Sequence, residues 1–349
     1  MSEQSPDEPT EQPADRGAAV APGVALLAVC AVGAWLLDPL LPVVDVLLIA
    51  VVVGFGVANV FELPTWAERG VETHKVFLGA AIVLMGASLS VDRLVESGAL
   101  VVSSVVCVSG GTLVGVELCS RRLFGIDDKL ASLLAAGSSI CGVSAIVAVA
   151  GSIRARDEHV VYAATTILLF DAVTLLVYPV VGNLLAIPSD VFGMWAGVSM
   201  FSTGPVVAVG FAHSETAGQW ATLTKLARNT LIGLVAVGYA TYYARRRLGA
   251  DRDGSSSLGF RQLWDRFPKY VVGFAGLVVL ASSGVLTAGH VQSLENAYNW
   301  LFLLAFVGLG TEIRIAKLRR AGVAPVLVVL CTFCAVSVIS LVVLSALFG

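Results

Sequence analysis

The chain has 349 residues, of which 57% are hydrophobic and only 13% charged, with a net charge of −3. Its mean hydropathy is +0.86, whereas soluble domains carry about 25% charged residues. The apolar residues recur in runs long enough to cross a bilayer, about 20 residues each, so the chain reads as a polytopic all-α membrane protein with no nucleic-acid partner.

Residues 1–18 are rich in Pro, Glu, Asp and Gln. A segment of this kind cannot offset its ordering entropy, and it is expected to form a disordered acidic tail ahead of a transmembrane domain, 19–349. About eleven apolar segments follow, at 18–37, 43–61, 76–91, 99–118, 129–151, 160–187, 190–212, 221–243, 269–287, 297–313 and 322–348. One long connection, 244–268, is expected to be cytoplasmic, with a flexible part at 250–257. Its residues 258–267 read either as a short helix on the membrane surface or as an ordinary loop. The Lys/Arg bias of the loops places Arg121-Arg122, Arg245-Arg246-Arg247 and Arg314–Arg320 inside. The N-terminus is then cytoplasmic and the C-terminus outside, and Arg154 and Arg156 fall outside, against the trend.

Two segments contain breaks. Gly137–Gly151 reads GSSICGVSAIVAVAG; glycine and serine weaken a helix there, and the expectation is a break near Gly137–Gly142 with a restart at Val143. In segment seven, Ser202-Thr203-Gly204-Pro205 interrupts the helix, because proline removes a donor and clashes with the preceding turn. Freed backbone groups at membrane depth must line a wet cavity or be buried in protein. A restarted helix offers N–H groups and a partial positive charge to an anion, and discontinuous helices form midplane sites in secondary transporters. The alternative is small residues that allow close helix packing. Two internal echoes appear: Phe77–Gly98 against Leu301–Gly322, in segments of opposite sense, and Val147-Ala148-Val149 against Val207-Ala208-Val209. The second pair falls in segments five and seven, which this count runs in the same sense, so they do not form a simple inverted pair.

The candidate anion-binding residues are Ser138, Ser139, Cys141, Gly142 and Ser144 at the first break, with Ser202, Thr203 and Gly204 at the second. Lys225 and Arg228 lie one helical turn apart near the start of segment eight. They are read either as oxyanion ligands or as side chains snorkelling to the interface. Asp171 lies well inside an apolar segment, where a charge costs about 2.5–3.5 kcal/mol on insertion scales. It reads either as a proton or cation coupling site or as a structural partner of Lys225 or Arg228, or of Ser and Thr hydroxyls. The histidines at 74, 159, 213 and 290 do not cluster, so no metal is expected. Cys331-x-x-Cys334 lies in a continuous apolar helix without a second such pair, and the six cysteines read as reduced thiols. No HExxH, GxGD or Ser/His pair lies within a segment, so neither an enzyme nor a cofactor is expected.

With Ile140-Cys141-Gly142, Ser144-Ala145, Leu168-Leu169-Phe170, Tyr178-Pro179, Trp195-Ala196-Gly197, Val206-Val207-Ala208 and Thr224-Lys225-Leu226-Ala227-Arg228 in view, the chain resembles the YeiH-type membrane family, which carries a provisional sulfate-exporter label. The resemblance implies an inner-membrane carrier with an inverted-repeat, broken-helix transporter core, similar to bile-acid symporters and sodium/proton antiporters. Its substrate would be a small anion such as sulfate, sulfite or a sulfonate, coupled to a proton or sodium, with a homodimer left open. The chain departs from the family pattern in having Phe201-Ser202-Thr203-Gly204-Pro205 where members carry a His-Asp/Glu pair. It also has Asp171 where members have Gly. A passive channel or a non-transporting sensor are the other readings.

Overall fold

The computed structural model describes residues 13–41, 45–61, 64–88, 91–248, 269–318 and 322–348, and the described chain is helical throughout. The helices are α1 (Pro13–Leu37), α2 (Val46–Val60), α3 (Thr65–Val71), α4 (His74–Met85), α5 (Val91–Leu118), α6 (Asp128–Ser139), α7 (Val143–Ile153) and α8 (Asp157–Leu184). They continue with α9 (Ser189–Ser199), α10 (Thr203–His213), α11 (Glu215–Asn229), α12 (Ile232–Leu248), α13 (Lys269–Ser282), α14 (Ala288–Glu312), the single turn α15 (Ile315–Leu318) and α16 (Val323–Phe348). Five stretches among the described residues are long and apolar enough to cross a membrane: 20–40, 65–88, 101–123, 157–184 and 323–347. Helix α1 begins at Pro13, so the end of the expected tail is helical, and α12 extends to Leu248, into the expected loop. The proposed surface helix at 258–267 lies outside the described residues.

Segments five and seven depart most from the sequence expectation. The first is broken where expected and the second at 200–202, ahead of most of the expected Ser202–Pro205, and neither is a crossing. At 1.5 Å per residue, α6 and α7 are each about 16–18 Å long, too short for a hydrocarbon layer of about 30 Å. The two limbs fold back on each other. Lys129 at the start of α6 donates to the Arg154 carbonyl at the end of α7 (2.7 Å). A methyl on Gly137 would sit 2.9 Å from Ile146 Cγ1 of the facing limb. The second pair does the same: Ser214, just past α10, donates to Ser189 at the start of α9 (2.8 Å), and the rings of Phe192 and His213 stack at 4.0 Å. Both segments are re-entrant hairpins. Helix α8 runs between them at about 42 Å, so the hairpins enter from opposite ends of the molecule.

With α8 running between them, the two hairpins are opposite in sense, whereas a count of full crossings gives segments five and seven the same sense. Arg154 and Arg156 return to the end of the molecule that holds Arg121, Lys129 and Arg246. There Arg246 pairs with Asp128, and Arg121 pairs with Glu117 and Asp128. The other end carries Asp45, Asp190, Glu215 and Glu295. The other echoing pair, α4 and α14, packs antiparallel, since Lys75 at the start of α4 bonds Glu312 at the end of α14 (2.8 Å).

Segment eight is also divided. Helix α11 starts at Glu215, not near 221, and stops at Asn229; α12 restarts at Ile232. Helix α11 packs closely against both limbs of the second hairpin. A methyl on Gly197 of α9 would meet Thr224 Cβ at 2.6 Å, and one on Gly210 of α10 would meet Ala221 Cβ at 2.8 Å. Small residues allow this approach of backbones. It carries Lys225 and Arg228, at the far end of α11, to the depth of the hairpin tips.

Candidate functional site

The first hairpin turns at Ile140–Gly142. Gly142, at φ 68° and ψ −133°, is the N-cap of α7, a conformation that glycine adopts without a steric cost. The second hairpin turns at Met200–Ser202, and α10 begins at Thr203. Pro205 therefore falls in the first turn of α10, where a missing N–H costs nothing. The tips meet: a methyl on Gly142 would collide with Ser202 Oγ.

Each tip contains the C-terminus of one half-helix and the N-terminus of the next. The exposed carbonyls at a C-terminus need donors, and cations are favoured there by the helix dipole. Lys225 and Arg228 supply both. The Lys225 ammonium donates to the carbonyls of Ile140 (2.8 Å), Met200 (3.0 Å) and Phe201. Arg228 donates through Nε to Ser139 (2.6 Å), through Nη1 to Met200 (2.6 Å) and through Nη2 to Ser138. Both side chains are almost fully enclosed, at 0% and 1% exposure, so neither snorkels to an interface. All three ammonium donors are spent on carbonyls, and neither side chain lines the adjoining cavity.

The N-termini are treated differently. Asp171, near the middle of α8 and 4% exposed, accepts the Ser202 backbone N–H on Oδ1 at 3.1 Å. It is thus a carboxylate placed at the start of α10. Its Oδ2 has no hydrogen-bond partner. Helix α7 has no side-chain cap. Asn229 braces the start of α10 by donating to Thr203 Oγ1 and to the Tyr270 hydroxyl, both at 3.1 Å.

A cavity of about 860 Å³ reaches this point. Its floor is formed by Cys141, Val143 and Ser144, by Ser202–Pro205, and by Asp171. Its mouth is formed by Glu68, Glu72, Lys75, Glu312 and Arg314, at the end of the molecule where α3 and α4 begin. There Glu312 pairs with Lys75 and stands 3.6 Å from His74. Of the residues read from the sequence, Cys141, Ser144, Ser202, Thr203, Gly204 and Asp171 line the cavity. Gly142 forms the turn behind it, and Ser138 and Ser139 face Arg228 through their carbonyls. Asn229, Tyr270 and the Glu312–Lys75 mouth were missed. Asn229 was legible in part, since Lys225, Arg228, Asn229 and Thr230 form a polar cluster inside an otherwise apolar run.

The lining gives a direct expectation for the thiols. A small maleimide entering from the Glu312 end is expected to label Cys141, with labelling slowed by Glu68→Trp at the mouth. Cys331 and Cys334, on the exposed face of α16, should react only with lipid-soluble reagents. Mass spectrometry of the labelled peptides checks both. No group of three or more His, Cys, Asp or Glu suited to a metal is present among the described residues.

The model of the family described as "Conserved hypothetical protein 698" matches residues 22–329. Similar proteins include a UPF0324 membrane protein of Nitratidesulfovibrio vulgaris, 32% identical over 79% of this chain and 76% of its own length. One from Clostridium tetani is 28% identical over 87% and 90%, and one from Streptococcus pyogenes is 29% identical over 92% and 95%. No solved structure matches the chain. With the match running through both hairpins and α8 into α16, the chain belongs to the conserved hypothetical protein 698 family, the UPF0324 membrane proteins.

Proposed function

We propose that this membrane protein is a secondary transporter for a small solute with an anionic group, of the sulfate, sulfite or sulfonate class. The observation that carries the reading is the convergence of two half-helix N-termini on the floor of a cavity whose mouth is lined by Glu68, Glu72, Lys75, Glu312 and Arg314. Unsatisfied N–H groups at such a point attract negative charge, and discontinuous helices meeting at mid-depth are the common architecture of carrier sites. Helix α11 packs on the second hairpin, α12 on the first and α8 on both, a frame that suits alternating exposure of one central site. Asp171 is the coupling group in this reading, since it is a carboxylate at the tips that accepts the N–H at the start of α10.

The clustering of Arg121, Arg154, Arg156 and Arg246 at one end supports a cytoplasmic position for that end, where the cavity mouth also lies. The C-terminus is then periplasmic. A phosphatase reporter joined after Gly349 is expected to be active and a cytoplasmic fluorescent reporter dark; the reverse would invert this topology.

The function is tested in proteoliposomes preloaded with unlabelled sulfate, sulfite or an alkanesulfonate. A carrier accumulates the labelled solute transiently against its gradient, whereas a channel only equilibrates it. Absence of counterflow with every member of the panel would remove the carrier reading. In the same vesicles Asp171→Asn is expected to abolish dependence on an imposed proton or sodium gradient.

A further inference from the structure

Resting on the transporter reading, we infer that the solute is a small zwitterion, with an anionic head at the start of α7 and an ammonium group at Asp171 Oδ2. The two half-helix N-termini are not equivalent. Helix α10 already has a protein carboxylate at its start, Asp171 bonding Ser202 N at 3.1 Å. Helix α7, eleven residues long, has only Gly142 as its cap and no side-chain hydrogen bond there. Val143 and Ser144 of its first turn line the cavity, so its leading N–H groups are the ones open to an external anion.

The second pole is the other oxygen of Asp171. It is enclosed, belongs to a residue that lines the cavity, and has no donor. A buried acceptor without a donor is costly, more so when it carries charge. The cation nearest in purpose, Lys225, has all three of its donors on carbonyls, and Arg228 is also engaged with carbonyls through Nε, Nη1 and Nη2. Neither can serve this oxygen without uncovering a helix end. A simple dianion such as sulfate would satisfy α7 but offer no donor to Asp171 Oδ2. A solute with an ammonium group satisfies both poles at once, through a charge-assisted hydrogen bond. Ser202 lies between the poles, bonded to Asp171 on one side and packed on Gly142 on the other. The linker between head and amine is therefore short.

Matched pairs that differ only in the amine test this. The pairs are 2-aminoethanesulfonate against ethanesulfonate, and 3-aminopropanoate against propanoate, with sulfate as a fifth probe. Thermal unfolding of the purified protein and exchange in proteoliposomes are both measured. The expected result is that at least one amine-bearing member shifts the melting curve and exchanges at least tenfold faster than its partner and than sulfate. Asp171→Asn should remove that preference, so that the amine-bearing member exchanges no faster than its partner, and Asp171→Glu, which keeps the charge, should retain part of it. Equal or faster exchange of ethanesulfonate, propanoate or sulfate would overturn the zwitterion assignment and leave the carrier standing. Failure of every probe to shift unfolding or to exchange would overturn both.

Discussion

Replacing Lys225 with methionine is expected to destabilise the detergent-solubilised protein by about 3 kcal/mol or more, from hydrogen bonds to a charged donor at about 1.5–3 kcal/mol each. The substitution keeps the volume of the side chain and removes three donors, so the carbonyls of Ile140, Met200 and Phe201 lose the ammonium they face. Those carbonyls are the negative ends of α6 and α9, in a region that Lys225 itself seals at 0% exposure. Arg228→Met should cost a similar amount for Ser138, Ser139 and Met200. The two losses should not add, because both side chains share the Met200 carbonyl and neighbours of this kind couple. A melting-temperature series of the two single variants and the double variant checks this. Unchanged midpoints for Lys225→Met would show that the ammonium is not holding the tips. If Lys225 were instead the main anion ligand, its loss would abolish uptake with little change in unfolding.

Gly142→Val should abolish exchange, by at least about 100-fold, while leaving the protein in the membrane at its normal level. Two effects act together. The backbone at φ 68° and ψ −133° suits glycine and strains any side-chain-bearing residue by about 1–3 kcal/mol. The new Cβ would also collide with Ser202 Oγ and approach Ile167 Cγ2 at 3.3 Å. The tip is then forced away from its partner, and both N-termini leave their positions. Gly204 separates the two effects. Its φ is ordinary, and a methyl there meets only the end of Leu309 at 3.2 Å. Gly204→Ala is therefore expected to exchange within about threefold of the native chain, and only a bulky residue should block the cavity that Gly204 lines. Initial rates in proteoliposomes, normalised to immunoblotted protein, distinguish the two glycines. Normal flux through Gly142→Val would remove the tip contact from the mechanism.

The breaks were legible because their causes are local. Gly and Ser carry their effect on the backbone wherever they stand, so the restart at Val143 followed from residue type, whereas the interruption expected at Ser202–Pro205 falls at 200–202, with Thr203, Gly204 and Pro205 already in α10. The fold-back of each limb was not legible. A hairpin and a kinked crossing have the same hydropathy and nearly the same length. What separates them is a contact between the ends, Lys129 with Arg154 and Ser189 with Ser214, which no local pattern encodes. The charge distribution did contain the clue: Arg154 and Arg156 conflicted with the loop bias only while 129–151 was treated as a crossing.

Of the two readings of Lys225 and Arg228, the interfacial one does not hold, for a related reason. Placed near the start of an apolar run, they looked like edge residues. Helix α11 begins at Glu215, in a stretch too polar to have been counted as part of that run, and this moves both cations a helical length inward. Asp171 was identified from its isolation in an apolar helix. Its partner, a backbone N–H on another element, could not be read from side-chain identities.

Met200 presents a single carbonyl to both cations, while Lys225 also holds the opposite tip through Ile140. One short rod therefore grips both loops, as a bolt passes through two plates. Any displacement of one loop along the membrane normal has to be copied by the other or shear this grip. In the proposed transport cycle the two loops and α11 therefore move as a single block, past the faces of α2 and α14 against which α10 lies.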